Sequence, residues 1–380
     1  MNGVVLENVA GIRPAHKPAI RRESQPGLHF THISLACHQE WHLSLRPLPG
    51  EKPVAMMARL AGWLRAHDAL VIRHEVFGSL ALYDEARRGL QREVEGFDWP
   101  LTWCEGKAGS VAAIAGMHVL AVTGTTVETI HRNGQPVGRV FSDGGFRHCL
   151  LGGIVASQPT APRPEQCREV LTEMAGVLGE TGMTLQNVVR TWFFLEDILD
   201  WYGEFNHVRN EFFREHQVFQ GLVPASTGIG ARNPAGSALI AGAWAVRPEN
   251  ELGTVREVIS PLQCAATDYG SAFSRAVLME GGGVRRLLVS GTASIEPGGR
   301  SIHEGDLTRQ IETSLMVTEA ILKSCGSGFG DVTRATGYFK DGVGGGAGGA
   351  SFESMRHGVS VPADICRPEL LFEIELDAVG

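Results

Sequence analysis

The last extended run of this 380-residue chain, residues 370–379, sets two carboxylates on one side. Leu371, Glu373 and Glu375 alternate with Phe372, Ile374 and Leu376, and side chains two apart on a strand project from the same face. A carboxylate partly desolvated at a cleft takes a raised pKa and serves as a general acid or base near neutral pH. The same alternation also describes a half-exposed strand with its polar face in water, and that is the expectation for Glu375. Closing runs earlier in the chain, Ala113-Ile-Ala-Gly-Met117 and Leu239-Ile-Ala-Gly-Ala243, carry no carboxylate.

Other chemistry-bearing groups are weaker. His38 and His42 are four apart, with His29 and His32 nearby, but on a strand-rich segment that spacing does not converge the rings and no fourth ligand is evident. No metal is expected. Gly281-Gly-Gly283 and Gly344-Gly-Gly346 lack the Lys-Ser/Thr that follows a phosphate-cradling loop and read as turns. Seven cysteines without CxxC spacing read as reduced thiols rather than a disulfide framework.

These groups must be positioned by a repeated order of elements. Residues 164–182 form an amphipathic helix: Pro164 suits a first helical position, Cys167, Val170, Leu171, Met174, Val177 and Leu178 share a face, and Gly182 is a stop signal. An apolar strand follows at 187–195, then a helix with Ile198, Tyr202, Phe205, Val208 and Phe212 at helical spacing. Two more strands, 222–229 and 238–246, close the unit. The hairpin at 126–141, turning at Asn133-Gly134, introduces it, and a strand at 148–155 leads in. An N-terminal stretch repeats the order: strands at 29–35 and 41–45, a helix at 53–67, a strand at 70–77, a helix at 82–94 and an apolar run at 110–122. A C-terminal stretch begins it again, with strands at 273–279 and 286–290, a helix at 306–325 and a strand at 332–339. There the glycine-rich 342–349 replaces the second helix and reads as a flexible loop, and strands at 359–361 and 370–379 finish the chain. Each first helix is followed by a strand with an arginine at a similar place, Val71-Ile72-Arg73, Val188-Val189-Arg190 and Val332-Thr333-Arg334, a register mark for three-fold repetition.

Composition sets the class. Hydrophobic content of 43% and charged content of 20% are those of a globular protein long enough for two or three cores. A net charge of −8, with no Lys/Arg cluster, argues against a nucleic-acid partner. Residues 1–27 have no signal-peptide core, and no window reaches the roughly 18 apolar residues of a membrane span, so no membrane partner and a cytoplasmic location are expected.

The middle unit resembles the Rid (YjgF) family of small trimeric proteins through Val188-Val-Arg-Thr, Phe194-Leu-Glu-Asp197 and the Asn206-x-x-Arg-x-x-x-Phe213 helix. The third unit resembles it through Ser290-Gly-Thr-Ala-Ser294 and Arg367-Pro-Glu-Leu-Leu-Phe-Glu-Ile-Glu375. About a third of the chain is also similar to the chorismatases, longer single chains on the same fold. The stretches are Asp268-Tyr-Gly-Ser-Ala-Phe-Ser-Arg-Ala276, Ser290 to Ile295, Glu304-Gly-Asp306 and Ala363-Asp-Ile-Cys-Arg367. The similarity departs where that family carries a Pro-rich insert after Tyr269-Gly270, and the N-terminal third matches neither family by motif.

In the Rid family the ligand sits between neighbouring subunits and the first glutamate of the closing strand works on a water or a proton, which the resemblance carries to Glu373. Rid enzymes of imino acids hold the substrate carboxylate with an arginine just after a Pro-Ala pair. Here that place is Ser226, after Pro224-Ala225, so imine deamination is weakened; Pro362-Ala363-Asp364 offers no equivalent. Arg275 matches the chorismatase pattern, where a guanidinium clamps a carboxylate bidentately; pairing with a surface acid is the other reading. Phe273 replaces a frequent Tyr, and Asn206 and Gly291 match the family. With Tyr269, Ser290 and Arg367 these form the expected substrate-binding set.

The resemblance implies an α+β fold: three Rid-like (chorismate mutase-like) units in one chain, forming an intramolecular pseudo-trimer. Residues 1–27 are an arm, 28–125 a degenerate unit, 126–250 a second unit and 251–380 the unit carrying the site. The expected protein is a cofactor-free, chorismatase-like enzyme with Glu373 as general acid/base, acting on a small carboxylate-bearing enol ether, as a monomer or a homo-oligomer. An enamine/imine deaminase and a non-catalytic metabolite-binding protein are the alternatives.

Overall fold

The computed structural model describes residues 18–106, 113–251, 253–340, 352 and 355–380, without the side chains of Asp268 and Tyr269. The first unit runs β1 (Ala19–Gln25), β2 (Leu28–Ser34), β3 (Gln39–Leu45), α1 (Pro53–Ala66), β4 (Leu70–Gly78), α2 (Tyr83–Glu93), β5 (Leu101–Cys104) and β6 (Ile114–Thr123). The second runs β7 (Glu128–Arg132), β8 (Gln135–Ser142), β9 (Phe146–Val155), α3 (Arg163–Glu180), β10 (Val188–Leu195), α4 (Ile198–Glu215), β11 (Ala225–Gly230) and β12 (Leu239–Pro248). The third has β13 (Thr254–Val258), β14 (Ala276–Gly281), β15 (Val284–Ala293), α5 (Leu307–Ser324), β16 (Val332–Phe339), β17 (Gly358–Pro362) and β18 (Phe372–Val379). The 342–349 loop expected from sequence lies outside the described residues.

All three sheets have six strands in one topology: β1-β2-β3-β6-β4-β5, β7-β8-β9-β12-β10-β11 and β13-β14-β15-β18-β16-β17. Neighbouring strands run antiparallel except β4/β5, β10/β11 and β16/β17. The fold is therefore α+β with three equivalent units in one polypeptide. One boundary changes: the arm expected over 1–27 is not all arm, because Ala19 to Gln25 pair antiparallel with Ser34 to Leu28. Being mostly exposed, β1 has no apolar run to announce it. Half-exposed β13 escaped notice for the same reason, and β5 because it is only four residues long.

Each unit buries one sheet face under its own helices, with Met57 and Leu60 of α1, Val170 and Leu171 of α3, and Ile311 and Ile321 of α5 among the core residues. The opposite faces meet in a shared core where Phe77, Phe194 and Tyr338, one from each unit, converge. The Phe77 ring stands 6.0 Å from Phe194 and 6.2 Å from Tyr338 in edge arrangements.

The three marker arginines prove equivalent. The ladder slips at Val71/Arg73, Val188/Arg190 and Val332/Arg334, so one residue bulges out before each arginine and re-aims it towards the centre. All three are buried and gather around Trp192, with guanidinium carbons 3.7, 4.9 and 5.4 Å from its ring for Arg73, Arg190 and Arg334. Their ionic partners among the described residues are the buried Glu75, Glu375 and Asp377. A second layer holds Arg286 against Glu40 at 2.7 Å and Asp143 at 3.1 Å, with His148 3.0 Å from Asp143. Burial by itself would raise the Glu40 and Asp143 carboxyls; Arg286 and His42 beside Glu40, and His148 and Arg286 beside Asp143, overcome it and hold both well below the usual range. Buried charges are tolerated only when paired this closely.

Candidate active site

A cleft opens where the second and third units meet. Unit two supplies Tyr202 and Arg209 from α4 and Ser226 and Gly228 from β11; unit three supplies Phe273, Arg275, Gly291, Ala293, Cys366, Arg367 and Glu373. Backbone hydrogen bonds from Ser274 N to Pro224 O and Gly230 N to Asp364 O, at 3.0 and 2.8 Å, fasten the two sides.

Glu373 lies on β18, paired with Ala293 and Tyr338, and is 5% exposed. A side chain on Gly291 would overlap its Oε1, so only glycine lets the carboxyl lie across β15. The Gly291 N–H donates to Thr227 Oγ1 at 3.1 Å, and Thr227 Oγ1 donates to Glu375 Oε2 at 2.6 Å. Gly291→Ala is therefore expected to displace the Glu373 carboxyl, and to lower kcat of any reaction that uses Glu373 as its acid, with little change in thermal stability. Unchanged kcat in that variant would show that the contact does not position the acid.

The two carboxylates are driven apart in acidity, the arrangement by which neighbouring acids take different roles. Burial, reinforced by the negative charge of Glu375, pushes Glu373 up to about 8 against the opposing pull of Arg190, Arg275 and Arg367. Glu375 is fully buried, and burial would raise it too. It is held well below the usual carboxylate range by Arg334, whose Nη1 donates to Oε1 at 2.6 Å, and by Arg190, which donates to Oε2. Trp192 Nε1 at 2.9 Å and Tyr338 Oη at 3.1 Å add donors. The expectation of a water-facing Glu375 is corrected: the face it shares with Glu373 is the inter-unit face, so the outer carboxylate enters the cleft and the inner one the central ionic layer.

Arg275 is buried. Its Nε donates to Cys264 O at 3.0 Å and its guanidinium carbon stands 5.5 Å from the Phe273 ring. Arg367 Nη1 donates to Gly299 O at 2.9 Å and Ser301 Oγ at 3.2 Å, which fixes it at the cleft edge. Ser290 turns into the wall, donating to Ser274 O at 2.5 Å and accepting from Ser226 N at 2.9 Å. Asn206 does not line the cleft; its Oδ1 accepts from Arg209 Nη2 at 2.7 Å. The Tyr269 side chain lies outside the described residues. Sequence reasoning passed over Arg209, Tyr202 and Cys366 as site residues, although Arg209 stands in the Asn206-x-x-Arg motif and Cys366 precedes Arg367. Burial pushes the Cys366 thiol up to about 12, so it stays neutral and is no nucleophile at neutral pH.

Register identifies the equivalents of Glu373. Glu373 opposes Tyr338 as Ile240 opposes Phe194 and Gly116 opposes Phe77. At this register position, only the junction of units two and three carries an acid.

Residues 153–240 match the family model described as Endoribonuclease L-PSP. No curated protein matches the chain by sequence. Among solved structures, a crystal structure of chorismatase is 20% identical, with a TM-score of 0.59 over 81% of this chain and 92% of that one. The E. coli YJGF gene product is 24% identical over 28% of this chain and 85% of its own, with a TM-score of 0.25. E. coli TdcF, solved with bound serine, is 23% identical over the same shares, with a TM-score of 0.25. The chain thus has the fold of chorismatase, three Rid-like units in one polypeptide.

Proposed function

We propose that the protein is a cofactor-free, chorismatase-like enzyme whose Glu373 protonates a small enol ether bearing carboxylates. The observation that supports this most is a buried acid sharing a cleft with cations: Glu373 is buried, burial and the charge of Glu375 push it up to about 8, and Arg209, Arg275 and Arg367 line the same cleft. Guanidinium groups recognise carboxylates, and a neutral carboxylic acid in their midst is a proton donor rather than a competing anion.

For chorismate, the Glu373 O–H would pass its proton to the enolpyruvyl methylene carbon, leaving positive charge on the ether carbon. Water adds there and returns a proton to Glu373. The hemiketal then breaks the bond between that carbon and the ring-bound oxygen while its hydroxyl proton passes to the leaving oxygen, giving pyruvate and a ring alcohol. Arg275 and Arg209 would hold the substrate carboxylates, while Phe273 closes one side.

A hydrolase of enamines or imines is the runner-up, disfavoured because Ser226 lines the cleft where an arginine would follow the Pro224-Ala225 pair. A single assay separates the readings. Pyruvate from chorismate supports the proposal, ammonia from a freshly generated imino acid supports the runner-up, and neither product with ligand-induced stabilisation would make the fold a metabolite binder.

A further inference from the structure

We infer that the junction of units one and two is a second ligand site, one that holds a planar ring bearing a single carboxylate without reacting it. The inference is independent of the enzymatic reading above. A cavity of about 440 Å³ opens there, within the size range of small-molecule pockets.

Its place in the fold is that of the Glu373 cleft, one unit earlier. Gly153 N–H donates to Thr102 Oγ1 at 3.0 Å, as Gly291 N–H donates to Thr227 Oγ1 at 3.1 Å. Ile240 pairs with Phe194 and Val155 as Glu373 pairs with Tyr338 and Ala293. A sec-butyl hydrocarbon side chain therefore stands where the other cleft keeps its proton donor, and a ligand bound against it meets no acid or base at that point. At the equivalent register position between units three and one, a Cβ on Gly116 would lie 2.7 Å from Val359 Cγ1.

The walls indicate the ligand. Tyr83 of α2 and Trp103 of β5 meet edge to face at 5.6 Å, and Phe97 and Trp99 do so at 4.5 Å. Aromatic pairs of this kind present ring edges and faces to a third ring. Ile240 supplies an apolar backing. Among the described lining residues Arg87 is the cation, and its Nη2 donates to Gln135 Oε1 at 3.2 Å across the unit boundary. The lining carboxylate, Asp98, already has His131 Nε2 at 2.6 Å. Aromatic walls with one guanidinium at the rim match a ring monocarboxylate: the ring replaces water against the aromatics and the carboxylate takes the Arg87 N–H groups.

Titration calorimetry of the full chain with benzoate, and with benzamide as its uncharged counterpart, tests this. Benzoate is expected to saturate one site, with benzamide roughly tenfold weaker and Arg87→Leu weakening benzoate roughly tenfold, the worth of one charge-assisted hydrogen bond. Glu373→Gln is expected to leave benzoate affinity unchanged. Circular dichroism checks that Arg87→Leu is folded, and Ala235→Trp, which places a bulky side chain at the exposed rim, is expected to abolish binding by obstruction. Non-saturable binding, benzoate affinity unaltered by Arg87→Leu and Ala235→Trp, or loss of binding in Arg275→Ala but not Arg87→Leu would each overturn the assignment. The last outcome would put the probe in the acid-bearing cleft. Failure of chorismate turnover does not bear on it.

Discussion

Glu373→Gln is expected to lower kcat on the true substrate by about 10²- to 10⁴-fold, the usual contribution of one general acid. The amide keeps the shape and the contact with Gly291 but cannot release a proton. In the unaltered chain the donor form is lost as pH rises through about 8, so kcat/KM of the proposed reaction should be level below that pH and fall above it. The variant should lose this limb along with its rate. Stability gives an independent reading. The folded value of about 8 lies above the ordinary 4.5, so this group's contribution to folding is fully present below pH 4.5 and disappears as pH rises towards 8. Glu373→Gln should flatten that slope in urea titrations. Full turnover in Glu373→Gln would remove the residue from the mechanism.

Glu375→Gln is expected to act on the fold. Removing one partner of a buried ion pair leaves the other charge uncompensated and costs about 3–5 kcal/mol. Among the described residues, the ionic partner of Arg190 is Glu375, while Arg334 keeps Asp377 at 2.9 Å and Glu75 at 3.8 Å. The loss should therefore fall on the contact between units two and three, and urea denaturation should detect it where Glu373→Gln shows no comparable loss at neutral pH. A second readout separates position from bulk stability. The negative charge of Glu375 helps raise Glu373, so its removal should move the descending limb of kcat/KM to lower pH. A limb that stays near 8 would mean that burial does all the raising.

Among the described residues, no helix is long and apolar enough to cross a membrane. Side-chain groups arranged to hold a metal ion are likewise not found among them.

The sequence by itself determined most of the elements and their repetition. Apolar stripes at helical spacing placed α1, α3, α4 and α5 within a few residues, Asn133-Gly134 marked a turn whose residues both have positive φ, 50° and 73°, and the three arginines marked the same bulge in three sheets. Those signals are local, fixed by spacing along one stretch of chain. The partners of Glu373 and Glu375 were not legible, because two carboxylates on one strand face have the same spacing whether that face meets water, a cleft or a buried arginine. Only the packing of three sheets about a common centre decided it, carrying Arg190 from 185 residues away to Glu375 and leaving Glu373 at the edge of that ionic layer, desolvated but short of a full counter-charge. Strand alternation chooses the face; what that face meets is a property of the assembled units, and with it comes the difference in proton affinity between two glutamates only two residues apart.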